Sequence, residues 1–364
     1  MNVTLNYTSG EYSVGTAIFS FTDSSRREQL GAGEGNRRIS VRMYYPVLKE
    51  NTEGRERALI ISENKTKALS KAYHTGKMSE DMKRADYYEN VPVAEGEFPL
   101  IMFNHGYNSY IEANTFLCID LASNGYIVAS VGHAFEAVET DYEDGSFDLY
   151  DKRINKMMYT NMWKAVKAQG KLLKKELSPE EAYREFLDFQ EKYVPYIKSR
   201  IPEWARDTLC ALDEVKKRYG ESIDFANGIG ASGHSLGGAA SYNLCVNESE
   251  FSCGINIDGA LFGEYGGKKM ERPFFQICCK ENYNVETKPL LDTNAPVYYA
   301  LFDNMKHMGF TDAKFFLPKF LSGKMDGQTM YKHLFGIHKR FFDKYLKNIE
   351  TEFPKGNSDG VTYR

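Results

Sequence analysis

The sequence predicts an α/β chain: a mostly parallel central sheet flanked by helices, with a helical cap inserted into it. Three observations point there. Short continuous apolar runs recur along the chain, as strands covered on both faces require. Helical segments separate several of them, and a strand–helix–strand order implies parallel pairing. A long helical stretch rich in aromatic and thioether side chains then breaks the alternation. The reading assigns 1–133 and 221–364 to the core and 134–220 to the insertion.

Taken in order, 15–21 and 38–45 are rich in strand formers, with Ile39, Val41, Met43 and Tyr45 on one face and Gly31, Gly33 and Gly35 between the runs. That is an antiparallel opening pair. Residues 49–97 are charged and weakly periodic, so they read as loop or short surface helices. Residues 98–103 form the first buried strand, 109–123 a helix closed by Asn124-Gly125, and 126–131 the next strand. In the insertion, Ser178-Pro179-Glu180-Glu181 is a capping box with proline at the first helical position, and Pro202 and Gly220 bracket another helix. The insertion reads either as a unit packing its own core or as a lid over a substrate pocket. Alternation then resumes with strands at 228–232, 253–257, 273–279 and 297–302, and a closing helix spans about 331–347.

Composition narrows the function. The chain has 364 residues, 42% of them apolar, enough for a sizeable core. Its 46 basic and 50 acidic residues give a net charge of −4, which offers nothing to nucleic acid. No apolar run approaches the roughly 20 residues of a membrane-spanning helix, and the first 30 residues hold no signal-peptide core, so a cytoplasmic protein is expected. The six cysteines sit mostly in apolar stretches without zinc-ligand spacing and read as reduced, buried thiols. Adjacent Cys278 and Cys279 would point to opposite strand faces. The sequons at Asn6 and Asn247 carry little weight without an export signal. The acidic cluster 139–144 reads as a solvated loop rather than a metal site.

The chemistry concentrates at Gly233-His234-Ser235-Leu236-Gly237. Strand formers and small residues precede Ser235, and Gly238-Ala239-Ala240 follow, as a strained strand-to-helix turn that exposes a serine nucleophile requires. A serine hydroxyl needs a base to take its proton and an acid to orient that base. Three histidines lie downstream: His307, in a loop just past a strand end, is favoured, with His338 the runner-up and His333 beside it in the closing helix. Asp258, directly after the 253–257 strand, is favoured as the acid over Asp292 and Asp303. The oxyanion of the tetrahedral intermediate is expected at the backbone N–H of Leu236 and the N–H of Tyr107, in the loop Asn104-His105-Gly106-Tyr107; His105 is expected to brace that loop.

These residues carry a family resemblance. The segments Phe103-Asn104-His105-Gly106-Tyr107, Ile119 to Val128, Gly233-His234-Ser235-Leu236-Gly237-Gly238 and Ile257-Asp258-Gly259, with Phe21-Thr22-Asp23 and Tyr44-Tyr45-Pro46 near the start, resemble the plasma and intracellular type II platelet-activating-factor acetylhydrolases. So does the spacing of 23 residues from Ser235 to Asp258. The resemblance implies an α/β-hydrolase fold, a serine, aspartate and histidine triad, and cleavage of short acyl esters, including the acetyl group of a phospholipid. The insertion, from about 134 to 201, is longer and more helical than in that family, and 49–97 departs from it. The expectation is a serine esterase without cofactor or metal, acting on a small ester or lipid. Two alternatives stay open: a lipase or polyester hydrolase for longer acyl chains, and a non-catalytic binding protein with the same fold.

Overall fold

The order of apolar runs becomes a sheet whose strands can be followed in a computed structural model describing residues 8–73, 84–263, 265, 268–287 and 293–364. The chain divides into two units, Met1–Tyr150 with Asp207–Gly228, and Asp151–Arg206 with Ile229–Arg364.

In the first unit, β1 (Ser13–Arg27) and β2 (Asn36–Val47) pair antiparallel with Phe19 opposite Val41. Strand β2 pairs antiparallel with β5 (Ile127–His133), and β5 lies parallel to β4 (Phe98–Asn104). Strands β4 and β5 are buried along their whole length, which is why their sequences are continuous apolar runs. A short β3 (Tyr88–Glu89) lines β1. Between β2 and β3 along the chain lies α1 (Glu63–Tyr73), in the region read as loop or short helices.

Helix α2 (Thr115–Ser123) starts six residues later than 109. The backbone explains this: Asn108 N–H donates to Glu136 and the Ser109 carbonyl accepts from Val138, so these groups are committed to a neighbouring segment rather than to a helical turn. The start of the insertion also differs. Residues 139–144 are a hairpin arm and not a solvated loop: β6 (Glu139–Asp141) pairs with β7 (Phe147–Leu149) across an Asp144-Gly145 turn. Glu139 and Tyr142 are buried, and Asp141 pairs with the buried Lys65 at 2.7 Å.

In the second unit come α3 (Ile154–Met157), α4 (Met162–Leu172), α5 (Pro179–Tyr193) and the first half of α6 (Pro195–Tyr219). The capping box forms at α5, with Glu181 N–H donating to Ser178 Oγ and Ser178 N–H to Glu181 Oε2. Helix α6 begins at Pro195 rather than Pro202, which lies inside it and forgoes one intrahelical bond.

After the short β8 (Ile223–Asp224) of the first unit, β9 (Ile229–His234), β10 (Phe251–Ile257), β11 (Phe274–Cys279) and β12 (Val297–Phe302) run parallel in that spatial order. Helix α7 (Leu236–Asn247) connects β9 to β10. The four-residue α8 (Lys319–Ser322) precedes the closing helix α9 (Gly327–Leu346), whose Leu334, Ile337 and Phe341 are buried. Two terminal strands, β13 (Gly356–Ser358) and β14 (Val361–Tyr363), complete the edge beside β12. All six cysteines are free, five of them buried.

Candidate active site

The site is built at the C-terminal ends of β9, β10 and β12, all in the second unit. Ser235 sits between β9 and α7 with φ 58° and ψ −124°, a conformation that L-residues avoid and that costs on the order of 1–3 kcal/mol. The turn holds because β9 and β10 clamp its base, Ser235 N–H donating to the Ile257 carbonyl at 2.9 Å. It is also closed by small residues. A Cβ on Gly238 would fall 1.9 Å from Asn256 Oδ1, and one on Gly259 would fall 2.2 Å from the Ser235 carbonyl oxygen. Leu236 is the first residue of α7, where a backbone N–H has no intrahelical acceptor.

Three side chains converge there. Ser235 Oγ lies 2.8 Å from His307 Nε2, and His307 Nδ1 lies 2.7 Å from Asp258 Oδ2. With Asp258 ionised, the ring donates from Nδ1, which leaves Nε2 as the acceptor facing the hydroxyl. Asp258 is fully buried; the His307 side chain is 38% exposed, so the base faces outward while its acid is shielded. Burial alone would raise the Asp258 carboxyl, but the hydrogen bond and charge of His307 and the Cys279 N–H, at 2.6 Å, hold it below the usual carboxylate value.

A family model described as platelet-activating factor acetylhydrolase, isoform II, matches residues 1–177, a stretch that ends before Ser235. Platelet-activating factor acetylhydrolase of Cavia porcellus is 24% identical over 290 residues, covering 74% of this chain and 62% of that one. The Bos taurus protein of the same name is 26% identical over 191 residues, 52% of this chain and 41% of its own length. The chain thus spans less than two thirds of the length of these relatives. A ferulic acid esterase from Streptomyces cinnamoneus superposes with a TM-score of 0.75 at 21% identity, covering 98% of this chain and 97% of that one. The first half of the chain is thus similar to the platelet-activating factor acetylhydrolases. The chain's fold is the α/β-hydrolase fold, a mixed sheet that is mostly parallel, with flanking helices.

Other residues singled out by sequence take separate places. His338, in α9, donates from Nδ1 to the Leu334 carbonyl at 2.7 Å and faces Ser232 Oγ from Nε2 at 3.1 Å. His333 Nδ1 meets the Tyr363 hydroxyl at 2.6 Å. Asp303 caps the end of β12, its N–H donating to the Gly360 carbonyl, and Asp292 lies outside the described residues. In the first unit, Tyr107 follows β4, and its hydroxyl lies 2.8 Å from that of Tyr150. His105 is buried, with Nδ1 2.7 Å from the Gly106 carbonyl and Nε2 accepting from His133 N–H at 3.3 Å.

Sequence reasoning missed the groups that support the acid. Asn282 Nδ2 donates to Asp258 Oδ2 at 2.8 Å. His234 Nε2 lies 3.1 Å from the His307 carbonyl, and burial beside His307 pushes its imidazole down to about 3, so it donates while neutral. Beneath Asp258 runs a buried polar chain. Asn256 bonds both backbone groups of Gly259 and donates to Gln276 Oε1 at 3.1 Å, and Gln276 donates to Glu286 Oε2 at 2.6 Å. Glu286 is buried, and one of its oxygens, one of Asp258's and the Cys278 sulfur lie within 4.8 Å of one another. Among the described residues this is the one grouping with metal-ligand types. Its members are poorly prepared as ligands, however, because burial raises the Cys278 thiol and the Glu286 carboxyl while Asp258 already serves His307, Asn282 and Cys279. One signal was available: Asn256 and Gln276 are polar residues in otherwise apolar strands, and parallel register sets them side by side.

Proposed function

We propose that the chain is a serine hydrolase of carboxylic esters, acting on short acyl and above all acetyl esters, those of phospholipids included. Ser235 Oγ attacks the ester carbonyl while His307 Nε2 takes its proton. Asp258 keeps the ring in the required tautomer and stabilises the imidazolium. The carbonyl π electrons move onto oxygen, and the N–H of Leu236, at the positive end of α7, stabilises that oxyanion. The second donor is assigned to the N–H of Tyr107, on its place one loop past β4. Collapse breaks the C–O bond, and His307 returns the proton to the leaving alcohol. Water then repeats the sequence on the acyl-enzyme, releasing the acid and restoring Ser235. Side chains and backbone supply every step.

The observation that carries this reading is the unbroken contact from Ser235 Oγ through His307 to Asp258, 2.8 and 2.7 Å. The acetylhydrolase names of the relatives support the acyl class. The test is p-nitrophenyl acetate turnover: Ser235→Ala is expected to lower kcat by about 10⁴-fold or more. Comparable rates in variant and wild type would end the reading. A rate maximum at acetyl or propionyl esters, falling at octanoyl, supports the short-acyl assignment, and the reverse order replaces it with a long-chain lipase.

A further inference from the structure

Helix α4 and the segment before it combine two properties that seldom coincide on a protein surface. From Lys152 to Lys175 the chain holds eight lysines and arginines and no aspartate or glutamate. Arg153 is held by Asp151 and Lys175 by Glu185; the other six cationic residues are lysines, all exposed. Among them stand large apolar side chains that also face solvent: Met157, Met162 and Val166, with Trp163 82% exposed.

Helical geometry sorts these residues. Ala165 and Leu172 form the narrow buried stripe of α4. At 3.6 residues per turn, Trp163 projects from the far side, Met162 and Val166 from one flank, and Lys164, Lys167 and Lys171 from the other. An indole left in water forgoes a large burial energy, and its amphipathic ring is suited to the boundary between headgroups and acyl chains. A helix with an apolar flank beside a row of lysines is the pattern that lies in a membrane interface. A second copy of the chain is a poor occupant, since face-to-face pairing would oppose two sets of cations. A soluble polyanion would pair with the lysines and leave the indole and thioethers wet.

We propose that this face of α4 docks on an anionic lipid bilayer, with Trp163, Met162 and Val166 entering the headgroup boundary and the lysines pairing with lipid phosphates. Each lysine near such a surface strengthens binding about fivefold, an effect that salt screens. The selectivity is therefore for anionic over zwitterionic lipid.

The chain carries its own reporter. It has two tryptophans, and Trp204 is fully buried, so a change in emission on adding vesicles reports Trp163. The expected result is a blue shift and co-sedimentation with equimolar phosphatidylcholine–phosphatidylglycerol vesicles at low salt, both lost at high salt and both absent with phosphatidylcholine alone. Replacing Lys164, Lys167, Lys171 and Lys174 together by glutamine should weaken partitioning about 100-fold or more. Met162→Ser with Trp163→Ser, read by sedimentation, should weaken it while the lysines remain. Equal binding to both vesicle types, undiminished binding by the lysine variant, or sedimentation without a blue shift would overturn the proposal. Heparin binding without vesicle binding would overturn it as well and assign the lysines to a soluble polyanion. None of these substitutions touches Ser235, His307 or Asp258, so turnover of a soluble p-nitrophenyl ester stays at the wild-type rate in every variant. A failure here is thereby distinct from a failure of the esterase reading.

Discussion

Asp258 and Glu286 are two carboxyls in one buried pocket with opposite tendencies. Asp258 is held low by its partners, His307 chief among them, while burial and the Asp258 charge push Glu286 well above its usual range. One ionised and one protonated carboxyl is the arrangement such a pair reaches when both cannot be charged. Two expectations follow at this scale. Asp258→Asn leaves the volume unchanged but loses the anion that fixes the His307 tautomer, so kcat should fall by about 10⁴-fold; a loss under tenfold in a folded variant would remove Asp258 from the triad. Glu286→Gln replaces one neutral group by another. The acid limb of the kcat/KM–pH profile should then stay where it is in the wild type. Were Glu286 ionised, deleting its charge would weaken the negative field on His307 and move that limb to lower pH, so a measurable downward shift would refute the neutral assignment.

At the scale of elements, the turn from β9 into α7 is as close-packed as the chain allows. Gly238→Ala sets a methyl into Asn256, which itself ties Gly259 to Gln276, so α7 or the β10 end must move. Overpacking of this kind costs about 1–3 kcal/mol. The expected outcome is a lower unfolding midpoint in urea together with reduced turnover, because Leu236 and Ser235 shift with the helix; unchanged values for both would show that the turn is looser than described. The small residues around Ser235 were readable in the sequence for the same reason that they are needed: neighbouring backbone leaves no room for a side chain. The buried strands were readable from continuous apolar runs, and the order serine, aspartate, histidine singled out the three residues now seen in contact. What sequence did not reveal depends on pairing partners distant along the chain. The hairpin at 139–149 hid inside an acidic stretch because Lys65 and Arg38, which hold Asp141 and Tyr142, lie some 70 to 100 residues earlier. Nothing local in the sequence announces that Asn282 and Glu286 lie beside Asp258.

Across the whole molecule, buried histidines tie stability to pH. His338 is enclosed between α9 and β9 and pushed down to about 4, and His234 to about 3, in both cases first by burial. Each donates as a neutral ring, His338 from Nδ1 to the Leu334 carbonyl with Ser232 facing its Nε2, and His234 from Nε2 to the His307 carbonyl, its Nδ1 making no hydrogen bond among the described residues. In the unfolded chain both would titrate near 6.5. Because the folded values are depressed, the stabilisation they provide is complete above about pH 6.5 and drains as pH falls toward the folded values, the unfolded chain taking up protons that the folded one refuses. Between pH 7 and pH 5 each histidine should remove about 2 kcal/mol of unfolding free energy, and the pair about 4 kcal/mol. The carboxylate Asp258, with a lowered value, stabilises above about pH 3.9 and does not contribute to the slope in this window. Urea unfolding at pH 7, 6 and 5 measures the slope directly. His338→Gln cannot take up the proton in either state, so whatever it does to stability at pH 7, its slope over the same interval should be smaller than the wild type's by about 2 kcal/mol. Glu286, neutral in the folded chain and ionised in the unfolded one at these pH values, pulls the wild-type slope the other way, so the comparison decides. A His338→Gln slope equal to the wild type's would mean that the His338 ring is protonated in the folded chain and that its Nδ1 bond is not that of a neutral imidazole.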